Sequence, residues 1–181
     1  MLNERAYALG ANRSVIRDLF EYGKARSAIV GGENVFDYSI GNPSIPSPKE
    51  VDDAIRAVLS DTDSLLVHGY TSAVGDYETR KAISDDLNAR YGVKTTPERF
   101  FLTCGAAPAL VSVLRALSIP DGEVLAIAPY FPEYKPFTEE AGLTFRVVSA
   151  DVPSFQINFE ALEKMINHNT QAIFLNSPNN P

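Results

Sequence analysis

Three short stretches of the chain carry residue types suited to holding a ligand. Thr103-Cys104-Gly105-Ala106-Ala107-Pro108 joins an apolar run to a helical one, and its side chains are small. Backbone N–H groups at the start of a helix can then approach an anion closely, and the helix dipole favours negative charge there. Gly105, Ala106 and Ala107 are therefore a candidate phosphate cradle. No Gly-Lys-Ser/Thr follows, and the Gly-x-Gly-x-x-Gly of a dinucleotide turn is absent. Small residues also suit plain packing of a strand against a helix, and this stretch alone does not separate the two readings. Pro129-Tyr130-Phe131-Pro132-Glu133-Tyr134 offers three aromatic rings, either a platform for a planar ligand or a cap on the core. Asn176 to Pro181 combines amide side chains, which donate and accept, with prolines that stiffen the backbone. By itself that is also a turn composition.

The elements that must position these stretches follow from apolar spacing. Phe100-Phe101-Leu102-Thr103 reads as a short strand, and residues 105–117 as a helix with Leu110, Val113, Leu114 and Leu117 on one side. Pro120-Asp121-Gly122 is a turn. Val124 to Ala128 is a continuous apolar run, the signature of a strand buried on both faces. Residues 132–141 read as a helix stopped by Gly142, Phe145 to Val148 as a strand, residues 158–167 as a helix capped by Asn158, and Ala172 to Leu175 as a strand. Strand–helix alternation of this kind predicts an α/β fold, a mainly parallel sheet with helices on both faces. All three ligand-suited stretches then lie at the carboxyl ends of strands, where such folds bind ligands. Together they offer an anion site, an aromatic face and amide groups, which suits a planar, phosphorylated cofactor.

The first third reads differently. Residues 14–29 have a loose helical stripe, Asp37 to Ile40 reads as extended, and Gly41 to Pro46 as a stiff loop. Ser47-Pro48-Lys49-Glu50 has the pattern of a capping box with proline at the first helical position. Val51, Ala54, Ile55, Val58 and Leu59 follow as an apolar helical stripe. Residues 61–75 read as loop, and Asp76 to Tyr91 as a helix stopped by Gly92.

Composition excludes several classes. The 181 residues carry 16 Lys plus Arg against 23 Asp plus Glu, a formal charge of −7. That balance argues against a nucleic-acid surface and against a polybasic membrane anchor. No apolar run approaches the length of a membrane span, and the first residues lack the pattern of a signal peptide. One cysteine excludes a disulfide framework, and with His68 and His168 far apart it makes no zinc pattern. A cytoplasmic location is the expectation. Cys104, with no histidine close in sequence to activate it, is expected to be a small buried hydrophobe. His68 is expected to be structural and His168 solvated. Glu139-Glu140 and Asp85-Asp86 are expected on exposed faces.

Over residues 36–181 the chain resembles the fold-type I pyridoxal-phosphate enzymes, specifically the class I/II aminotransferases that include aspartate aminotransferase. Leu175-Asn176-Ser177-Pro178-Asn179-Asn180-Pro181 is similar to the family's Asn-Ser-Pro-Asn-Asn-Pro-Thr-Gly signature without its last two residues. Gly41-Asn42-Pro43, His68-Gly69-Tyr70-Thr71 with Gly75 and Arg80, Thr103 to Leu110, and Ala128 to Phe131 match in order. The resemblance implies a pyridoxal-phosphate transferase-like large domain, incomplete here, over residues 51–181. It implies an N-terminal arm and part of a small domain over residues 1–50.

The resemblance also implies residue roles. Gly105, Ala106 and Ala107 would bind the cofactor phosphate. Phe131 would stack on the pyridine ring, and Asn180 would hydrogen-bond the ring hydroxyl oxygen. Tyr70 would reach the phosphate of a neighbouring subunit, which makes a homodimer part of the site. Gly41 would lie near the substrate carboxylate. Position 107 is often polar in the family, and alanine there leaves phosphate binding to backbone groups. The implied reaction moves an amino group between an amino acid and a 2-oxo acid. The lysine that holds the cofactor lies beyond the signature in the family, and none of Lys24, Lys49, Lys81, Lys94, Lys135 and Lys164 has its context. The chain is thus expected to be the first part of a longer enzyme and inactive alone, with no catalytic residue of its own. Carbon–sulfur lyases, decarboxylases and cyclopropane-forming synthases share the pattern, and a non-catalytic ligand-binding or dimerising module is the reading from another class.

Overall fold

A computed structural model of the chain describes residues 2, 4–11, 15–41, 43 and 45–178. They form two compact units, Met1–Ser44 with Ile119–Pro181, and Ile45–Ser118.

The first unit is built on a three-stranded, all-parallel sheet. Strands β1 (Glu123–Ile127), β2 (Thr144–Val148) and β3 (Thr170–Phe174) lie in the order β2-β1-β3. Val124, Leu125 and Ala126 of the central strand have 0% exposure, which is why this strand reads as an unbroken apolar run. Parallel neighbours need crossover connections. Here they carry α7 (Tyr134–Glu140) between β1 and β2, and α8 (Phe159–Met165) between β2 and β3. Asn158 caps α8, its side-chain oxygen accepting from the Ala161 N–H at 2.8 Å. Gly142, at φ 86°, follows α7 and donates its N–H to the Glu139 carbonyl. Ahead of the sheet this unit carries α1 (Glu4–Ala11), which sequence periodicity did not signal, and α2 (Val15–Val30), as expected. Asp37 to Ile40 forms no strand.

The second unit is helical. It contains α3 (Lys49–Asp61), α4 (Ser64–Val67), α5 (Tyr77–Tyr91) and α6 (Ala106–Leu117). Helix α5 runs from a side-chain cap by Asp76, which accepts from the Thr79 N–H and hydroxyl, to the left-handed Gly92. It buries Arg80, which donates to the carbonyls of Gly75 and Pro97, and Ser84, which donates to the Thr95 carbonyl. Asn88 pairs with both the N–H and the carbonyl of Thr95, so the 93–99 connection is tied to the helix by backbone groups. Gly75 has φ 95°, and a Cβ there would lie 2.7 Å from Leu102 side-chain atoms, so glycine is required by both conformation and space.

Three expectations are corrected. Phe100 to Thr103 is not a strand. Leu102 donates one backbone hydrogen bond, to Val74, but a strand exists only through a ladder, and the segment has no ladder partner among the described residues. Ser47 does not cap α3. Pro48 occupies the N-cap position with φ −54°, ψ 141° and no side-chain cap bond, because the ring presets an extended residue just before the helix. Residues 61–75 are not all loop, since Asp63 accepts from the Leu65 N–H and starts α4.

At the amino end of the sheet, opposite the loops that follow β1 and β3, Glu123 is 7% exposed. Burial pushes its carboxyl up, but hydrogen bonds from Arg146, Thr170 and Asn167 outweigh that and hold it below the usual carboxylate range. A carboxylate depressed in the folded state adds stability above its unfolded pKa of roughly 4.3, and that contribution is lost as pH falls through the folded value. The urea midpoint of the protein should therefore fall as pH is lowered from 5 toward 3. Glu123→Gln should flatten that slope, and an unchanged slope would show that this network carries none of it.

Candidate functional site

Within the sheet unit, the loops after β1 and β3 emerge at the same, carboxyl, edge. There they bound a cavity of about 360 Å³ whose walls include Tyr130, Tyr134, Phe155, Gln156, Phe174 and Asn176. The position follows the rule for open parallel sheets, in which ligands bind beyond the carboxyl ends of the strands. Both peptide bonds that open these loops onto proline, Ala128–Pro129 and Ser177–Pro178, are cis.

The aromatic residues of the first loop form an ordered set. Phe131 meets Tyr134 edge-on, with ring centroids 5.6 Å apart at 77°. Tyr134 stacks on Phe174 at 4.3 Å and 4°. Tyr130 turns the other way and meets Phe145 of β2 edge-on at 5.1 Å. Phe131 keeps 40% exposure and offers a ring surface, while Tyr130 and Tyr134 are half-buried. Tyr130 thus packs against the sheet, while Phe131 leaves part of its ring uncovered. Asn176 follows β3 at the cavity wall, and Asn180 lies outside the described residues.

Within the helical unit, Gly105 is the N-cap of α6, with φ 105° and ψ 176° and no side-chain cap bond. Its N–H donates to the Thr103 carbonyl at 2.9 Å, and its carbonyl accepts the Thr103 hydroxyl at 2.8 Å. A Cβ built on Gly105 would meet nothing within 4 Å, so the space beside the turn is open. The first N–H groups of a helix lack intrahelical partners. Those of Ala106 and Ala107 therefore face a turn with no competing side chain, and the first turn of α6 holds no acid. This donor set fits a phosphate dianion. Cys104, expected to be buried, is exposed, because it lies on this open turn directly before the left-handed glycine.

The other expected residues are placed as follows. Tyr70 follows α4 and is fully exposed. Gly41 is exposed, and its neighbour Asn42 lies outside the described residues. His68 is the C-cap of α4 and exposed, and His168 is exposed. Asp85 and Asp86 are exposed and paired with Lys81 and Arg90, as expected for a solvated face. Lys49, Lys81 and Lys164 each pair with an acid one turn away on their own helix. No group of His, Cys, Asp and Glu that could hold a metal is found among the described residues. No helix among them is long and apolar enough to cross a membrane.

Phe155, Gln156 and Phe174 were not among the sequence candidates. Phe174 reads as an ordinary strand residue, and Phe155 and Gln156 lie in a crossover, where only the fold shows that they border the cavity.

The α/β fold, a parallel three-stranded sheet with helices, matches the large domain of the pyridoxal-phosphate-dependent transferases, incomplete in this chain. Residues 33–181 match the family of class I and II aminotransferases, and the chain belongs to that family. An aspartate aminotransferase from Thermotoga maritima is 33% identical over 160 residues, covering 87% of this chain and 41% of its own length. A crystal structure of an amino transferase from Eubacterium rectale is 53% identical, with TM-score 0.94, over 100% of this chain and 46% of the other. Aspartate aminotransferase from Thermus thermophilus with maleate is 26% identical, with TM-score 0.84, over the same shares. The chain thus spans less than half the length of these relatives.

Proposed function

We propose that this chain is the N-terminal part of a pyridoxal-phosphate-dependent aminotransferase that moves an amino group between an amino acid and a 2-oxo acid. The match of residues 33–181 to the class I and II aminotransferases carries this reading. In it, residues 1–50 are the arm and part of the small domain, and residues 51–181 begin the large domain. The enzyme is cytoplasmic and homodimeric.

The residues present fit the cofactor. The N–H groups of Ala106 and Ala107, at the turn opened by Gly105, hold its phosphate; the positive φ of Gly105 and the open space beside it support this. With alanine at 107, that hold is made by backbone donors and the helix dipole. Phe131 supplies the ring surface for the pyridine, and its partial exposure suits that role. Asn180 hydrogen-bonds the ring hydroxyl oxygen. Tyr70, fully exposed, reaches the phosphate held by the neighbouring subunit. Gly41 brings backbone close to the substrate carboxylate. When bound, the cofactor supplies an electron sink for the substrate's α-carbon. The residues of this chain bind and orient, and the lysine that moves the proton belongs to the remainder of the enzyme.

The test is made on the full-length protein. It should show a visible absorbance band with pyridoxal phosphate that borohydride fixes to one lysine, together with amino-group transfer from an amino acid to a 2-oxo acid. Cofactor binding without transfer would point instead to a lyase, decarboxylase or synthase. The absence of both would overturn the reading.

A further inference from the structure

We propose that Tyr134 is a positioning residue that fixes the orientation of the Phe131 ring at the cofactor site. The inference rests on the reading of Phe131 as the ring that stacks on the cofactor.

Phe131 lies on the loop after β1 and is 40% exposed, so packing against the core does not immobilise it. A phenyl group in that setting samples several rotamers, and a stacking surface is useful only in one of them. Its ring contact is with Tyr134, edge-on at 5.6 Å and 77°. Such a contact uses at most one face of the Phe131 ring and leaves the other for a ligand.

Tyr134 is itself held from three sides. Its ring stacks on Phe174 at 4.3 Å and 4°. Its N–H donates to the Phe131 carbonyl at 3.0 Å, and its carbonyl accepts the hydroxyl of the fully buried Thr138 at 2.7 Å. Phe174 is the last residue of β3 and lies in register with Ala126 of the central strand. The orientation of an exposed loop ring is thus referred, through Tyr134 and Phe174, to the central strand at the fully buried Ala126. The ring of Tyr134, and not its phenol oxygen, makes the contacts with Phe131 and Phe174.

The experiment uses the full-length protein and pyridoxal phosphate as the probe. The readouts are the cofactor dissociation constant, the visible circular dichroism of the bound cofactor and the melting temperature of the cofactor-free form. Tyr134→Phe should leave the first two within twofold of wild type. Tyr134→Leu should raise the dissociation constant about fivefold, the size of one lost aromatic contact, and reduce the visible dichroism. Phe174→Leu should act in the same direction and decides the matter if Tyr134→Leu does not fold. Phe145→Leu removes a ring contact to Tyr130 in which the Phe131 ring takes no part, so it should lower the melting temperature and leave the cofactor signature unchanged. A Tyr134→Leu protein that binds cofactor with wild-type affinity and dichroism would overturn this inference alone. So would one that loses no more than Phe145→Leu. Failure of the wild type to bind cofactor at all would overturn the reading of Phe131, and this inference with it.

Discussion

Replacing Gly105 with alanine should weaken pyridoxal-phosphate binding about 10- to 100-fold while leaving the fold intact. Gly105 is at φ 105°, ψ 176°, a region of backbone space that is essentially glycine's alone. Strain of roughly 1–3 kcal/mol per residue applies to other side chains there. Space is not the obstacle, since a Cβ would meet no atom within 4 Å. An alanine turn would therefore relax to an allowed conformation in the free protein. That relaxation gives up the paired bonds between Gly105 and Thr103 and reorients the peptide groups that lead into the helix. Binding the phosphate would require the strained form again, and the strain would be subtracted from the affinity, tenfold per 1.4 kcal/mol. The check is a cofactor titration alongside a melting curve. Gly32→Ala is the comparison, because Gly32 has neither a positive φ nor a neighbour within 4 Å, and it should change nothing. Equal affinities for Gly105→Ala and wild type would mean that the phosphate is held elsewhere.

Leu125→Ala should cost about 3 kcal/mol of unfolding free energy, within the range for a large-to-small change in a core that cannot collapse. Leu125 is fully buried in the central strand and faces Arg146 in β2 and Ile173 in β3 along the ladder. Neighbours on both sides restrict how far the backbone can move into the void. By contrast, breaking the exposed Glu160–Lys164 pair by Glu160→Ala should change stability by no more than about 0.5 kcal/mol. Urea unfolding of the three proteins measures both. A Leu125→Ala cost below about 1 kcal/mol would show that β1 is not the centre of the packed unit.

Several local signals in the sequence held, although the capping box at Ser47 did not form. The unbroken run from Val124 announces a strand covered on both faces, and β1 is that strand. Asn158 and Asp76 announce helix starts because their side chains satisfy backbone donors a few residues on, and they do so in α8 and α5. Where a feature depends on distant partners, the sequence was silent or misleading. Phe100 to Thr103 has strand composition, but composition does not supply the neighbour that a ladder needs. Cys104 has the chemistry of a core residue, and its exposure comes from the course of the turn around Gly105. The Gly105 turn and the aromatic loop were legible as residue types, but the strand expected before Gly105 does not form, and only the aromatic loop follows a strand. The stack of Tyr134 on Phe174 was not, because only the closing of the sheet brings two rings so far apart in sequence face to face.

The outer strands have a consequence for how this stretch of chain behaves in solution. Among the described residues, β2 and β3 each pair on one side only, with β1. The other side of each displays a row of N–H and C=O groups at the spacing that a further strand would match, which makes it a template for aggregation. Proteins that leave such borders open protect them with charge, proline or bulges. Among the described residues, the one irregularity of the sheet lies in the β1–β3 ladder, on the side of β3 that is already paired. β3 is a five-residue strand, Thr170–Phe174, without a charged side chain. Borders of this kind, where nothing covers them, are expected to drive self-association as concentration rises. A lysine at Ile173, which is 36% exposed, should delay that association.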